Sequence, residues 1–316
     1  MSMKRFAHDC YIILSTMDIH INYLQKMVQD RNILFPDVEN RIAAEEEIKR
    51  LGDYTRRIKS LLDRNCIIED IKESQIKVFD RIPIDLLSRL KKEVEEKIGR
   101  GIVWYIGYCE TKPIYLEKYY LTAINCILEN AFEYACPGSI ICINLYADKL
   151  VISNIGIPIH EDEMNRIFEY RYRGRDAKNC NYRGIGSGLY IAKNVFDAYE
   201  STLSISSESI VEKNKEVEPL ITCLLGSLNK KHLSEYLTEF QYEAARKTIE
   251  QICKIYNMNH KAECLYINKT SVKKWLNYWV STINSENLDF ILNKPKAKVT
   301  VTILYGKEKE NINNRR

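Results

Sequence analysis

The segment AINCILENAFEYA, Ala123 to Ala135, opens the stretch that decides the fold of this chain. Three further segments follow it, in the order ISNIGIPI (residues 152–159), IFEYRYRG (167–174) and RGIGSGLYIAKNV (183–195). Each segment alone is weak evidence, because a glycine-rich turn such as the last one is common and needs context. Their order and distances together are specific. They predict a helix, a strand with a following loop, a basic loop, and a turn that opens a helix.

The four segments resemble the N, G1, F and G2 boxes of the histidine-kinase branch of the gyrase, chaperone and kinase ATPase superfamily. The resemblance runs from about Ile82 to about Leu225. It implies a domain that binds ATP and Mg²⁺ as cofactors, built on a mixed sheet with helices on one face.

In the first box, the resemblance makes Asn130 a ligand of Mg²⁺, which favours hard oxygen ligands. Glu129 stands where related ATPases have an acid that activates a water or accepts a proton, and a solvated helix acid is an equal alternative. Tyr134 is expected to pack beside the base. Two positions depart from the family, because Cys126 stands where relatives have Asn and Glu133 where many have a phosphate-facing Lys.

The next two boxes imply contacts to both ends of the nucleotide. Asn154 replaces the family's Asp and is expected to accept a hydrogen bond from the adenine amino group through its carbonyl oxygen. Gly156 lets the backbone approach the ring, and Phe168 is expected to pack under the lid. Arg173 is the better candidate for reaching the γ-phosphate, because Arg171 stands where relatives have a second aromatic residue.

The last box implies a phosphate cradle. Gly184, Gly186 and Gly188 let successive backbone N–H groups face the phosphates, and the helix that follows adds its positive end. Leu189 is expected to pack inward.

The first 65 or so residues more weakly resemble the dimerisation and phosphoacceptor hairpin of histidine kinases. Helical spacing of apolar residues predicts one helix over residues 4–31 and a second from about Val38 to Arg64. The stripe of the first helix comprises Phe6, Ile13, Met17, Leu24 and Met27. A lone hairpin cannot bury the stripes of both helices, so two copies are expected to pair as a four-helix bundle, which implies a homodimer.

FAHDCYIILSTM, residues 6–17, looks like the family's H box. The resemblance makes His8 the nucleophile that attacks the γ-phosphorus, while Asp9 takes or orients the other ring proton. The alternatives are an ordinary surface His and, more weakly, His20 as the acceptor. Ile13 replaces a Pro that kinks the helix, and Ile12 replaces the Thr or Asn that positions water for phosphatase work. We therefore expect kinase rather than phosphatase activity.

Composition excludes several classes of protein. Of the 316 residues, 28% are charged and 45% apolar, as in soluble globular proteins, and a net charge of +4 does not argue for binding to nucleic acid or to a membrane surface. No apolar run approaches the ~20 residues that a membrane helix needs, and charges near the N-terminus make a poor signal peptide. We therefore expect a cytoplasmic protein without membrane insertion or a preceding input domain. The ten Cys form no CxxC pair and are expected to be reduced thiols rather than zinc ligands.

These features predict an α+β fold. The hairpin occupies residues 1–65, a linker 66–80, an α/β sandwich ATPase domain 81–228, and a small α/β extension 229–316. Strands predicted at Leu203–Ser207 and Leu220–Leu225 complete the sheet. In the alternative that the sequence leaves open, Gly226–Lys296 is an insertion and VTVTILYG (299–306) is the true last strand.

The resemblance implies a two-component histidine kinase that autophosphorylates on His8 and passes the phosphoryl group to an Asp of a response-regulator receiver domain. The alternative is a non-catalytic phosphotransfer adaptor or pseudokinase, which the altered H box, Cys126 and Glu133 favour. A third and weaker alternative is an ATPase of this superfamily whose helical bundle serves something other than signalling.

Overall fold

The protein is described here by a computed structural model. It covers residues 3–29, 38–73, 82–97, 99–109, 114–116, 119–179, 186–228, 237–258, 266–283 and 296–305. The chain divides into two compact units, residues 1–77 and 78–316. In the part of the chain so covered, no helix combines the length and the apolar character that a membrane crossing requires.

The first unit is a helical hairpin of α1 (Met3–Gln29) and α2 (Val38–Lys72). The helices run antiparallel, because Leu14 packs on Leu62 near one end of the hairpin, and Val28 clusters with Ile48 near the other. Polar contacts follow the same register. The Tyr11 hydroxyl donates to the Asp63 carboxylate, and Lys59 pairs with Asp18.

Helix α2 extends beyond its predicted end. Residues 66–72 were predicted to begin a linker, and they are helical. The reason is that no Gly or Pro interrupts the chain here, and the buried Ile67 and Ile68 prolong the apolar stripe. The remainder of the predicted linker, 74–80, lies outside the described residues.

The second unit is built on a mixed sheet. Its described strands are β2 (Val103–Cys109), β4 (Ile140–Leu145), β5 (Lys149–Gly156), β6 (Thr202–Ser209), β7 (Tyr266–Ile267) and β8 (Ala297–Leu304). They lie in the order β6-β8-β5-β4-β2-β7. Only the β2–β4 pair among them is parallel. Two short strands, β1 (Ile82–Ile84) and β3 (Ile114–Leu116), pair separately.

The described helices of this unit are α3 (Leu86–Glu96), α4 (Tyr120–Tyr134), α5 (Arg175–Asn179), α6 (Gly188–Ala198), α7 (Val211–Ser227), α8 (Glu239–Ile255) and α9 (Lys269–Ile283). Val103 and Tyr105 of β2 pack in one core cluster with α7, α8 and α9. Trp104, between them, points to the opposite face and stacks on Phe132 of α4, with ring centroids 6.1 Å apart. Helices therefore cover both faces of the sheet, whereas the sequence predicted helices on one face.

The predicted strand at Leu220–Leu225 is wrong, because these residues belong to α7. Val217, Ile221, Leu224 and Leu228 recur at helical spacing and are buried in the cluster with α8 and α9, so packing overrides the local run of β-favouring residues. The vacant place in the sheet is taken by β8, which lies between β5 and β6. Residues 211–296, called the insert below, thus connect two adjacent strands.

Candidate nucleotide site

The side chain of Asn130 lies against the first residue of α6. A Cβ added to Gly188 would be 3.5 Å from Asn130 Nδ2 and 3.6 Å from Oδ1. The Cβ of Cys126, one turn earlier on α4, would lie 3.7 Å from that added Cβ. No described residue hydrogen bonds to the Asn130 amide. The folded chain thus brings the first and last of the four segments together and leaves a side-chain carbonyl oxygen available between them.

Gly186 joins the glycine turn to the basic loop. Its φ of +74° is in the left-handed region, and an added Cβ would lie 2.5 Å from the Tyr172 carbonyl oxygen. The Arg171 N–H donates to the Gly186 carbonyl at 3.0 Å. Only glycine meets both demands. Gly184 lies outside the described residues. Leu189 is half-buried at the start of α6.

The end of β5 forms a second part of the site. Asn154 is only 4% exposed, and no described residue hydrogen bonds to its side-chain amide. Two residues on, an added Cβ at Gly156 would lie 2.3 Å from the Tyr134 carbonyl oxygen. Ile157 donates its N–H to that oxygen at 3.3 Å. The last turn of α4 is therefore tied to the strand that carries Asn154, and Tyr134 is half-buried at this junction.

The basic loop, residues 164–174, follows a short 3₁₀ turn at Glu161–Glu163. Phe168 is half-buried in it. Arg171 is exposed, with a φ of +64° and its guanidinium 5.2 Å from the Tyr170 ring centroid. Arg173 donates through Nη2 to the Ala177 carbonyl oxygen at 2.7 Å, while its Nε is buried without a partner among the described residues. Arg173 is thus tied to α5, and its Nε has no partner among the described residues.

The sequence did not indicate a role for Glu163, whose carboxylate joins the two ends of this loop. Its carboxylate is 5% exposed, and Oε1 accepts the Tyr172 hydroxyl at 3.0 Å and the Arg175 N–H at 2.8 Å. Burial alone would raise the pKa of Glu163, but these two hydrogen bonds and the Arg175 charge outweigh it, so the pKa is lowered. No motif marked this residue, because its importance arises from contacts that form only on folding.

Arg100 was also missed. Its guanidinium donates to the carbonyl oxygens of Phe132, Glu133 and Ala135, at 3.0, 2.8 and 2.7 Å. These are carbonyls that a helix leaves without intrahelical partners at its C-terminal end. Arg100 therefore fixes the end of α4 that carries Tyr134, and nothing in the local sequence indicated this role.

The remaining predicted residues are less fully placed. Glu129 is half-buried on α4 beside Asn130. His8 and Asp9 lie within α1, but their side chains are outside the described part of the chain. Their proposed roles therefore stay predictions.

The site fits a magnesium-bound nucleoside triphosphate in its chemistry. Asn130 offers a hard oxygen of the kind that Mg²⁺ accepts. At Gly186 and Gly188 the absence of side chains leaves the backbone N–H groups accessible to a ligand, which an anion-binding turn requires. The buried amide of Asn154 offers both a donor and an acceptor to a base edge.

Comparison with known families gives one match. Residues 117–222 match the family described as "Histidine kinase-, DNA gyrase B-, and HSP90-like ATPase". This interval contains α4, β5, the basic loop and α6, which carry the site residues described above.

Curated relatives include sensor kinases. The probable sensor kinase SilS of Salmonella typhimurium is 27% identical over 175 residues, which are 50% of this chain and 34% of that protein. The histidine protein kinase SaeS of Staphylococcus aureus is 34% identical over 181 residues, 53% of this chain and 52% of that protein. The chain thus spans 34% to 52% of the length of these relatives.

Similar solved structures include two histidine kinases. The mycobacterial sensor histidine kinase MprB matches at 23% identity with a TM-score of 0.33, covering 40% of this chain and 85% of that one. The histidine kinase AdeS of Acinetobacter baumannii matches at 13% identity with a TM-score of 0.35, covering 61% and 89%.

Proposed function

Because this chain carries a histidine-kinase core with an ATPase domain of the histidine kinase, gyrase B and HSP90 family, we propose that it is a two-component histidine kinase. It binds Mg-ATP, phosphorylates His8, and passes the phosphoryl group to an Asp of a response-regulator receiver domain. The observation that carries this proposal is the Asn130 amide, which lies against Gly188 without a described partner.

Each residue of the site has a role in the proposed reaction. Asn130 binds the metal through Oδ1, and the backbone at Gly186 and Gly188 receives the phosphates. Asn154 and Tyr134 hold the base. Bound Mg-ATP supplies the phosphoryl group.

The basic loop completes the binding of the phosphates. Phe168 anchors the loop, and Arg173 brings its guanidinium charge to the terminal phosphate, with Arg171 as a second cation. Phosphoryl transfer depends mostly on placement and charge stabilisation, so these residues provide what the reaction needs.

The hairpin supplies the acceptor in this proposal. His8 attacks as the neutral imidazole, and Asp9 orients the other ring nitrogen. Two hairpins associate as a homodimeric four-helix bundle, which also presents the phosphohistidine to the receiver domain.

Incubation of the pure protein with γ-labelled ATP and Mg²⁺ tests the proposal. We expect label that is labile in acid and stable in base, as a phosphohistidine is. It should disappear in His8→Ala and persist in the matched control His20→Ala, because His20 is an exposed residue of the same helix. Label that survives His8→Ala contradicts the assignment of the acceptor.

The adaptor alternative rests on one structural observation. Cys126 contributes its apolar Cβ, 3.7 Å from the position of an added Gly188 Cβ, where the family has a polar Asn. Nucleotide binding without any label supports an adaptor. ATP turnover that does not change in His8→Ala supports an ATPase with a different use of its bundle.

A further inference from the structure

The Glu163 carboxylate closes the basic loop at its two ends. The loop leaves the 3₁₀ turn directly after Glu163 and returns to it at Tyr172, whose hydroxyl lies 3.0 Å from Oε1. The Arg175 N–H donates to the same oxygen at 2.8 Å, and Arg175 Nε lies 3.6 Å from it. An added Cβ at Gly174 would come within 3.3 Å of Oε2. The carboxylate, 5% exposed, thus holds both ends of the loop.

This contact determines where the loop lies relative to the glycine turn. Tyr172 is the neighbour of both Arg171 and Arg173, so fixing its phenol fixes the backbone that carries the two guanidinium groups. Arg171 in turn donates its N–H to the Gly186 carbonyl at 3.0 Å. A displacement at Glu163 is therefore transmitted to the arginines and to the turn.

We propose that Glu163 is a positioning residue that sets the placement of the basic-loop arginines at the terminal phosphate. The inference rests on the proposed nucleotide site, and it assigns a function to a residue outside the four segments. Glu163 acts through Tyr172 and Arg175 and touches no reacting atom.

The surrounding charges explain why a carboxylate is suited to this place. A buried carboxylate is tolerated where it accepts several hydrogen bonds, and hydrogen bonds to a charged acceptor are about twice as strong as neutral ones. Outside the contact, Arg175 also pairs with the exposed Asp162 at 2.5 Å, and His160 pairs with Asp176 at 3.0 Å. These exposed pairs are expected to add little.

Three variants distinguish the loss of this contact from a general loss of stability. Glu163→Gln keeps the shape and one acceptor but removes the charge, and Tyr172→Phe removes the donor from the loop. Glu161→Gln is the matched control, because Glu161 is an exposed acid of the same 3₁₀ turn.

Two readouts are measured for each folded variant. The first is the rate of autophosphorylation at saturating ATP. The second is the ratio of the Kd of ADP to that of a non-hydrolysable ATP analogue, measured with Mg²⁺ by calorimetry. This ratio reports the contribution of the terminal phosphate and requires no catalysis.

We expect Glu163→Gln to lower the rate about tenfold, less than the roughly hundredfold that a 1 Å misplacement of reacting groups can cost, because the amide keeps the shape and one acceptor. The Kd ratio should fall severalfold, while the Kd of ADP stays within about threefold. Tyr172→Phe should give a smaller loss of about fivefold, as for one hydrogen bond. The loss in the double variant should be smaller than the two single losses combined, because both changes act on one shared interaction. Glu161→Gln should behave as the wild type.

The outcomes also separate this inference from the proposed function. If the wild type binds nucleotide but forms no phosphohistidine, the kinase proposal fails and the Kd ratio still decides the inference. An unchanged ratio and rate in folded Glu163→Gln overturn the positioning role alone. Additive losses in the double variant also overturn it, and absence of nucleotide binding in the wild type overturns both.

Discussion

At the scale of single residues, Gly188 offers a substitution that separates binding from stability. An alanine Cβ there would lie 3.5 Å from the Asn130 amide, an ordinary contact distance, so the fold has room for it. Alanine in place of glycine stabilises a protein by about 0.4–1 kcal/mol where the backbone conformation allows it, because the unfolded chain loses freedom. The methyl group nevertheless fills the space beside the Asn130 amide.

We therefore expect Gly188→Ala to keep or raise the melting temperature while weakening Mg-ATP binding by about tenfold, the effect of a methyl group in a tight contact. Thermal unfolding and calorimetry measure the two quantities. Gly186→Ala is the contrasting variant, because its φ of +74° and a 2.5 Å approach to the Tyr172 carbonyl make alanine strained. It should lose stability as well as binding. Unchanged nucleotide affinity in Gly188→Ala would show that Asn130 does not face the ligand.

Asn154 gives a prediction about base selectivity. Its amide is buried at 4% exposure and can turn either a donor or an acceptor to the base. A carboxylate at this position can only accept, so it suits the amino group of adenine and opposes the carbonyl group of a 6-oxopurine.

We expect Asn154→Asp to raise the preference for ATP over ITP by about tenfold. A charged carboxylate forms a stronger hydrogen bond to the adenine amino group than the neutral amide does, and it repels the carbonyl oxygen of ITP. Competition calorimetry against a common analogue gives the two affinities. The melting temperature is the control for the cost of burying a carboxylate. A wild-type protein that already rejects ITP as strongly as the variant would contradict the role given to Asn154.

At the scale of elements, the insert is anchored on the turn that follows α4. Trp275 and Trp279 of α9 donate their indole N–H groups to the Gly138 carbonyl at 2.9 and 3.1 Å. Gly138 has a φ of +72°, and an added Cβ would lie 2.2 Å from Tyr278 Cε1. The aromatic face of α9 therefore requires a residue without a side chain at this turn.

Gly138→Ala should destabilise the second unit by about 2–5 kcal/mol, the sum of a left-handed alanine and an overpacked contact. Gly226→Ala is the control, because Gly226 lies in α7 with no atom within 4 Å of an added Cβ, and it should be neutral or slightly stabilising. Chemical denaturation monitored by tryptophan fluorescence measures both. Equal stabilities of the two variants would mean that α9 does not pack as described.

The elements also show what could be predicted from the sequence. The helix with Asn130, the strand with Asn154 and the helix after the glycines were predicted because each has a motif and a clear apolar period. The nature of α7 was not, because LITCLL favours a strand locally and only packing on α8 makes it a helix. The place of β8 between β5 and β6 depends on pairing across the whole insert, which no local pattern records.

The same reason applies to the site. The residues that match a motif could be named in advance, but Glu163 and Arg100 act through backbone groups and hydroxyls brought to them by folding. In the sequence, Glu163 and Arg100 look like ordinary polar residues. The structure identifies them through burial and multiple hydrogen bonds, which are tertiary properties.

At the scale of the whole molecule, the hairpin carries two apolar seams. One is buried between its two helices, and the other is exposed. Within one chain, Leu14, Ile21 and Val28 of α1 recur every seven residues and are buried against α2. A second apolar series on the two helices stays exposed, comprising Ile13, Met17, Leu24, Leu51, Tyr54, Ile58 and Leu61. Ile13, Met17 and Leu24 of the stripe predicted on α1 belong to this second series. The side chains of Phe6 and Met27 lie outside the described part of the chain. Its spacing of three and four residues is that of a helix seam awaiting a partner.

A second copy of the hairpin is the occupant that this spacing favours, because a twofold interface presents the same seam from both chains. We expect the wild type to be a dimer at micromolar concentration, and Ile58→Glu to raise the dimer Kd by about 100-fold or more, since each charge enters the symmetric interface twice. Asn65→Glu, at an exposed polar position of the same helix, should leave the dimer intact. Sedimentation equilibrium measures the dissociation constant.

A wild type that stays monomeric at tens of micromolar, or equal dissociation of the two variants, would contradict the bundle. If label also vanishes in the Ile58→Glu monomer while nucleotide binding persists, the phosphoacceptor helix requires the dimer for its reaction.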